Sequence, residues 1–237
     1  MSYKSFAMKA LALGSVTAIM SLGLLYTFQD RMLYAPDMPI RHIKDNPRGY
    51  QSPTERHIKY TQIQLDVPGA PNDRIVGWHM YHDNTNSAEP VEKKSQTPTV
   101  LFFHENAGNI GLRMDFFSML YHDLDLDIVA FAYRGYSDST LASESFPSES
   151  ILRQDAEVIM NYVSDNFRDK RLFLIGKSLG GAVGTYAVSL KPDLFDGVVL
   201  ENTFTSMSDV VDDLFYLVSF FKPLVLRIDW DTRSLIS

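Results

Sequence analysis

Gly176-Lys177-Ser178-Leu179-Gly180 is the segment of this chain with the plainest chemical content. It fits G-x-S-x-G, in which a sharp strand-to-helix turn pushes a serine hydroxyl out as a nucleophile. The flanks agree with that geometry. An apolar run, Arg171 to Gly176 (RLFLIG), reads as a strand, and Ser178 to Leu190 reads as a helix opened by the small residues Gly180, Gly181, Ala182 and Gly184. The helix amino terminus and the Leu179 N–H then face the nucleophile, where they can stabilise a developing oxyanion. A second N–H has to come from the turn after another strand. His104 to Asn109 follows the apolar run Thr99–Phe103 and is the segment that can supply it.

Two other readings compete. Gly-Lys-Ser also closes a phosphate-binding loop, but the first glycine of that motif would fall on Arg171, and the residues between read as strand. An ordinary tight turn whose serine only caps the helix needs no chemistry at all. The motif alone leaves that reading open.

The elements that must position these residues follow from patterning. Ile58 to Val67 alternates apolar and polar residues, and Arg74 to Tyr81 gives a second strand across a turn-rich segment, Pro68 to Asp73. Asp83 to Pro98 is polar and reads as a surface loop. From residue 99 onward, strands and helices alternate. Thr99–Phe103 and Asp127–Tyr133 are continuous apolar runs of the kind buried on both faces of a parallel sheet. Asn109–Leu124 has helical spacing, Pro147-Ser148 opens a helix to about Phe167 with Ser148 as its cap, Gly197–Leu200 is a strand, and Ser206–Phe221 a helix. This alternation predicts an α/β fold with a mostly parallel sheet and helices on both faces.

Ala10 to Phe28 contains no charged residue over 19 positions, enough for a helix of about 28 Å. The run is longer than the apolar part of a cleaved signal peptide, so an uncleaved single-span membrane anchor over residues 1–28 is the expectation. Residues 29–57, with Pro36, Pro39, Pro47 and Pro53, read as an extended connector, and 58–237 as the folded domain. Composition narrows the class further. With 22 Lys+Arg against 29 Asp+Glu the net charge is −7, which argues against a nucleic-acid binder. The absence of cysteine excludes disulfides, thiolate metal sites and cysteine nucleophiles. No cofactor or metal is called for.

Five segments occur in one order: Phe103–Gly111 (FHENAGNIG), Tyr133–Tyr136 (YRGY), Pro147–Glu149 with Asp155, Gly176–Ala182 (GKSLGGA) and Glu201–Thr205 (ENTFT). Together they resemble the α/β-hydrolase-domain-containing protein thirteen family, the bud-emergence-type hydrolases. Phe28–Pro36 (FQDRMLYAP) resembles the segment that follows the membrane anchor there. The resemblance implies an α/β-hydrolase fold behind a single amino-terminal span. It implies hydrolysis of acyl esters or thioesters, including removal of palmitate from lipidated proteins, with the lipid bilayer as a partner. It carries Ser178 onto the nucleophile and the backbone N–H groups of Leu179 and Asn106 onto the oxyanion hole. One position departs from the family pattern. Glu105 stands where a small residue, commonly glycine, is usual, and a glycine-only conformation there would distort the turn.

The chemistry is incomplete as read. In this fold the acid and the histidine follow the serine in the chain. No histidine lies after Ser178, the last of six being His122. The resemblance therefore implies a chain cut short of its acid and base, with Gly197–Leu200 left as a sheet edge. The alternative reading is a non-catalytic fragment or pseudoenzyme that acts as a membrane-tethered interaction module.

Overall fold

The computed structural model describes residues 3–82, 97–215 and 219–236. The loop expected over 83–98 falls almost wholly outside these residues. The elements are α1 (Tyr3–Leu33), β1 (Tyr60–Val67), β2 (Ala70–Met80), β3 (Thr99–Phe103), α2 (Met114–Ser118), β4 (Asp127–Ala132), α3 (Glu149–Phe167), β5 (Leu172–Lys177), α4 (Leu179–Leu190), β6 (Gly197–Glu201), α5 (Met207–Leu214), α6 (Lys222–Val225) and α7 (Thr232–Ile236).

Among the described residues the strands form one six-stranded sheet in the order β1-β2-β4-β3-β5-β6. The hairpin β1–β2 is antiparallel and β2 joins β4 antiparallel, while β3, β4, β5 and β6 run parallel. Every residue of β3 and β4 is buried, as their continuous apolar sequences require for strands covered on both faces. The hairpin turn is shorter than the turn-rich sequence implies. Strand pairing resumes at Ala70, because Gly69 alone supplies the left-handed conformation (φ +79°) that closes the turn.

Helix α3 shows how local sequence sets a tertiary contact. The Ser148 hydroxyl accepts from the Ile151 N–H and caps the helix. Ile151, Leu152, Ala156, Ile159, Met160 and Val163 then recur on one buried stripe. On the other face of the sheet, Phe117 of α2 meets Phe102 of β3 edge to face at 5.3 Å. The helical segment after residue 109 is irregular: a 3₁₀ turn, then α2, then a π-helical turn over Met119–Asp123. Met114, Phe117, Leu120 and Tyr121 are nonetheless buried, as their spacing predicts.

Three expectations are corrected. The apolar amino-terminal helix does not stop at residue 28 but runs to Leu33, because Gln29–Leu33 contains no breaker and the first proline is Pro36. Residues 34–57 are not a free connector. Tyr34 and Ile43 are buried against the domain core, and Ala35 forms a parallel bridge with Ala107. The third correction concerns α5, which ends at Leu214 instead of Phe221. Asp212 and Asp213 occupy its last turn, where the helix dipole disfavours negative charge.

Helix α1 is long and apolar enough over Leu11–Leu33 to cross a membrane, and the apolar side chains along it are exposed. At the far side of the sheet, β6 is the edge strand expected from its position, with Val198 and Val199 exposed at 43% and 54%. An apolar edge is a template for strand addition. Val199→Lys is expected to lower concentration-dependent aggregation, measured by light scattering in detergent. The same substitution should shift unfolding stability by no more than about 0.5 kcal/mol.

Candidate active site

Ser178 sits between β5 and α4 with φ 52° and ψ −120°, a left-handed conformation that costs a non-glycine residue on the order of 1–3 kcal/mol. The neighbouring strand holds it there. The Ser178 N–H donates to the Glu201 carbonyl at 2.9 Å, and the Thr203 hydroxyl donates to the Ser178 carbonyl at 3.0 Å. The glycines of the motif are required by close backbone approach. A Cβ on Gly176 would lie 2.5 Å from the Gly180 carbonyl oxygen. One on Gly180 would lie 2.1 Å from the Phe103 carbonyl oxygen and 2.7 Å from that of His104. The first turn of α4 therefore rests on the carboxyl end of β3, and the His104–Asn109 turn lies beside it.

That turn is clamped from several directions. The Asn106 carbonyl accepts from the Ala35 N–H (2.9 Å) and the Tyr136 hydroxyl (3.0 Å), and its side-chain amide donates to the Leu33 carbonyl (2.8 Å). Gly108, at φ +72°, donates its N–H to the Ala35 carbonyl. Among the described residues, no protein group accepts from the Asn106 N–H. The Leu179 N–H, in the first turn of α4, lacks an intrahelical acceptor by position. Glu105 does not distort the turn. It is absent from the positive-φ residues, and its carboxylate pairs with Arg113 Nε at 2.6 Å. Arg113 Nη2 in turn donates to the Ala107 carbonyl, so a side chain at 105 helps hold the turn.

The six histidines are all placed elsewhere. His104 is buried, and both ring nitrogens are used: Nδ1–H donates to the Glu105 carbonyl and Nε2 accepts from the Tyr133 N–H. Burial pushes its pKa down to about 3, so it is neutral and structural. His82 lies between Asp125 and Asp127 at the amino end of β4, and His79 packs edge-on against Phe167. His122 contacts the Arg56 carbonyl, His42 lies 3.9 Å from Asp138, and His57 ends a 3₁₀ turn. None makes a described hydrogen bond to Ser178. Lys177, the residue that prompted the phosphate-loop reading, ends β5 and pairs with Glu201 at 3.0 Å.

The patterns missed a buried ion network beneath the site. Arg134 donates its N–H and Nε to Asp155 (2.7 and 2.5 Å), Nη1 to Asp73 (2.8 Å) and Nη2 to Gln154. All three charged side chains are essentially inaccessible. Burial, working against Arg134, raises the Asp155 pKa to about 6. A signal did exist: Asp155 falls within the apolar stripe of α3, and a carboxylate there needs a buried partner.

His104 gives a pH test. Its folded pKa is depressed, so its stabilising contribution is present above about pH 6.5 and is lost as pH falls toward about 3. Asp155 is raised, so its contribution is lost as pH rises toward 6, which opposes the histidine in the same window. Comparison with His104→Gln isolates the histidine. Between pH 6 and 4 the parent should lose stability relative to the variant by about 1.4 kcal/mol per pH unit. Equal slopes would show that His104 is charged when folded. Gly180→Ala should cost about 2–3 kcal/mol by thermal unfolding, since neither opposing backbone can retreat.

The comparisons with known proteins agree with this fold. A family model described as alpha/beta hydrolase fold matches residues 98–227. An uncharacterized membrane protein of Saccharomyces cerevisiae is 33% identical over 229 residues, covering 94% of this chain and 72% of that protein. A lysophosphatidylserine lipase of Danio rerio is 33% identical over 129 residues, 52% of this chain and 32% of that protein. The solved structure of a Pyrococcus furiosus esterase superposes with a TM-score of 0.55 at 17% identity, covering 83% of this chain and 70% of that one.

Proposed function

Since this chain belongs to the alpha/beta hydrolase fold family, we propose that it is a membrane-anchored serine hydrolase of acyl esters or thioesters, with Ser178 as nucleophile. The observation that carries this reading is the Ser178 backbone. A serine that served only as a helix cap would have extended backbone dihedrals and accept an N–H with its side chain. Ser178 instead has φ 52° and makes no capping bond. Strain at a strand-to-helix turn, held by Glu201 and Thr203, is the signature of an exposed nucleophile.

In the proposed mechanism Ser178 Oγ attacks the acyl carbonyl as its proton passes to a base. The carbonyl oxygen, now negative, lies between the Leu179 and Asn106 N–H groups. Two preorganised donors of this kind contribute on the order of several kcal/mol to transition-state stabilisation. Collapse expels the alcohol or thiol, and water then releases the acyl group from Ser178. The bud-emergence-type assignment is supported by the five ordered segments. Thioester and palmitoyl-protein hydrolysis rest on that resemblance. The membrane location is supported by α1 and by the name of the yeast relative.

The second reading is a membrane-tethered module without turnover; among the described residues no histidine hydrogen-bonds Ser178. Added imidazole separates the two. With imidazole as an external base, a fluorophosphonate probe should label Ser178, and Ser178→Ala should abolish the label. Unchanged labelling of the variant, or none in either protein, would favour the module over the hydrolase.

A further inference from the structure

An apolar cleft of about 250 Å³ lies between the inner end of α1 and helix α5. One wall is Leu25, Met32 and Leu33, the last turns of the membrane-spanning helix. The other is Met207 and Val211 of α5, with Ile228 at the base. The polar group nearest its floor, the Gln29 amide, is already committed. It accepts from the Arg227 and Ile228 N–H groups and donates to the Val225 carbonyl. A ligand in this cleft would therefore meet almost no hydrogen-bonding partner, which selects a hydrocarbon.

The cleft is tied to the site at both walls. The Leu33 carbonyl accepts from the Asn106 amide, in the oxyanion turn. Met207 follows Thr203 by four residues, and the Thr203 hydroxyl holds the Ser178 carbonyl. At the opposite end the wall is continuous with α1, whose apolar surface over Leu11–Leu33 is exposed. A chain leaving the bilayer along α1 would enter the cleft without crossing water. Ion pairs of Arg227 with Asp30 and Lys222 with Asp212 lie at the rim.

We propose that this cleft receives the acyl chain of a membrane lipid ester, so that the anchor helix is itself part of the acyl-binding site. The proposal rests on the hydrolase reading for its catalytic meaning but not for its test.

The full chain in phosphatidylcholine nanodiscs would be irradiated with palmitic acid carrying a diazirine at mid-chain. The cross-links are expected in two peptides, 25–33 and 207–215. Val211→Trp should lower the 207–215 cross-link at least tenfold. Leu214→Ser, on an exposed position outside the cleft, should leave it unchanged. A monoacyl phospholipid should compete and acetate should not. Cross-links confined to the outer face of α1, around Leu13 and Ile19, would mean bilayer contact only and overturn the proposal. Competition by an S-palmitoylated peptide but not by the phospholipid would overturn the lipid assignment. The parent map needs no variant, so misfolding of Val211→Trp does not rescue the idea. Cross-linking should persist in Ser178→Ala. If it does while imidazole-dependent labelling fails, the hydrolase reading falls and the cleft stands. Ser178-dependent labelling without cross-links at 207–215 gives the reverse.

Discussion

The close approach of α4 to the end of β3 is the constraint from which the site follows. The Gly180 backbone lies where any Cβ would strike the Phe103 and His104 carbonyls. That contact seats the start of α4 on the end of β3, 77 residues earlier in the chain (Phe103 to Gly180). It also explains why the helix opens on small residues. A side chain at 176 or 180 would push α4 off the end of the sheet. Ser178 pays for this geometry with a strained backbone, and the hydrogen bonds to Glu201 of the neighbouring strand and Thr203 just after it offset it.

The His104–Asn109 turn is in turn held by the segment that leaves the apolar helix α1. Leu33 and Ala35 bind Asn106, and Ala35 binds Gly108. The Tyr34 hydroxyl accepts from the Trp230 indole N–H, whose backbone N–H is bound by Glu149 of α3. Helix α1, the His104–Asn109 turn and the Trp230 segment thus share one hydrogen-bonded junction. A helix joined by a flexible linker would have no mechanical effect on that turn. Here the last turn of α1 is packed against it.

Beneath the junction, Arg134 compensates two buried carboxylates. A pair of this kind contributes little against a well-packed apolar substitute, yet removing one partner typically costs 3–5 kcal/mol because a buried charge is left alone. Its role is positional. Arg134 ties the loop after β4 to α3 and to the start of β2, and the same loop carries Tyr136 to the Asn106 carbonyl.

Much of this was legible in the residues themselves. The order of strands and helices follows from apolar runs and periodicity, the cap of α3 from Ser148, and the elbow from Gly176 and Gly180 around Ser178. Those are local properties, set by a few consecutive side chains. The effect of Glu105 was not legible, because it turns on whether the backbone there demands a glycine conformation, and Glu105 is not among the positive-φ residues. The packing of residues 34–57, the Arg134 network and the cleft beside α1 were not legible. Each depends on contacts between residues far apart in the chain, and a proline-rich stretch or a lone arginine looks the same whether it meets solvent or a partner. The sequence by itself determined the fold class, a G-x-S-x-G turn between strand and helix, and an apolar helix long enough to span a bilayer. Only the tertiary structure decided that α1 packs on the turn beside Ser178, because the Leu33 and Asn106 groups that join them are 73 residues apart and carry no shared pattern.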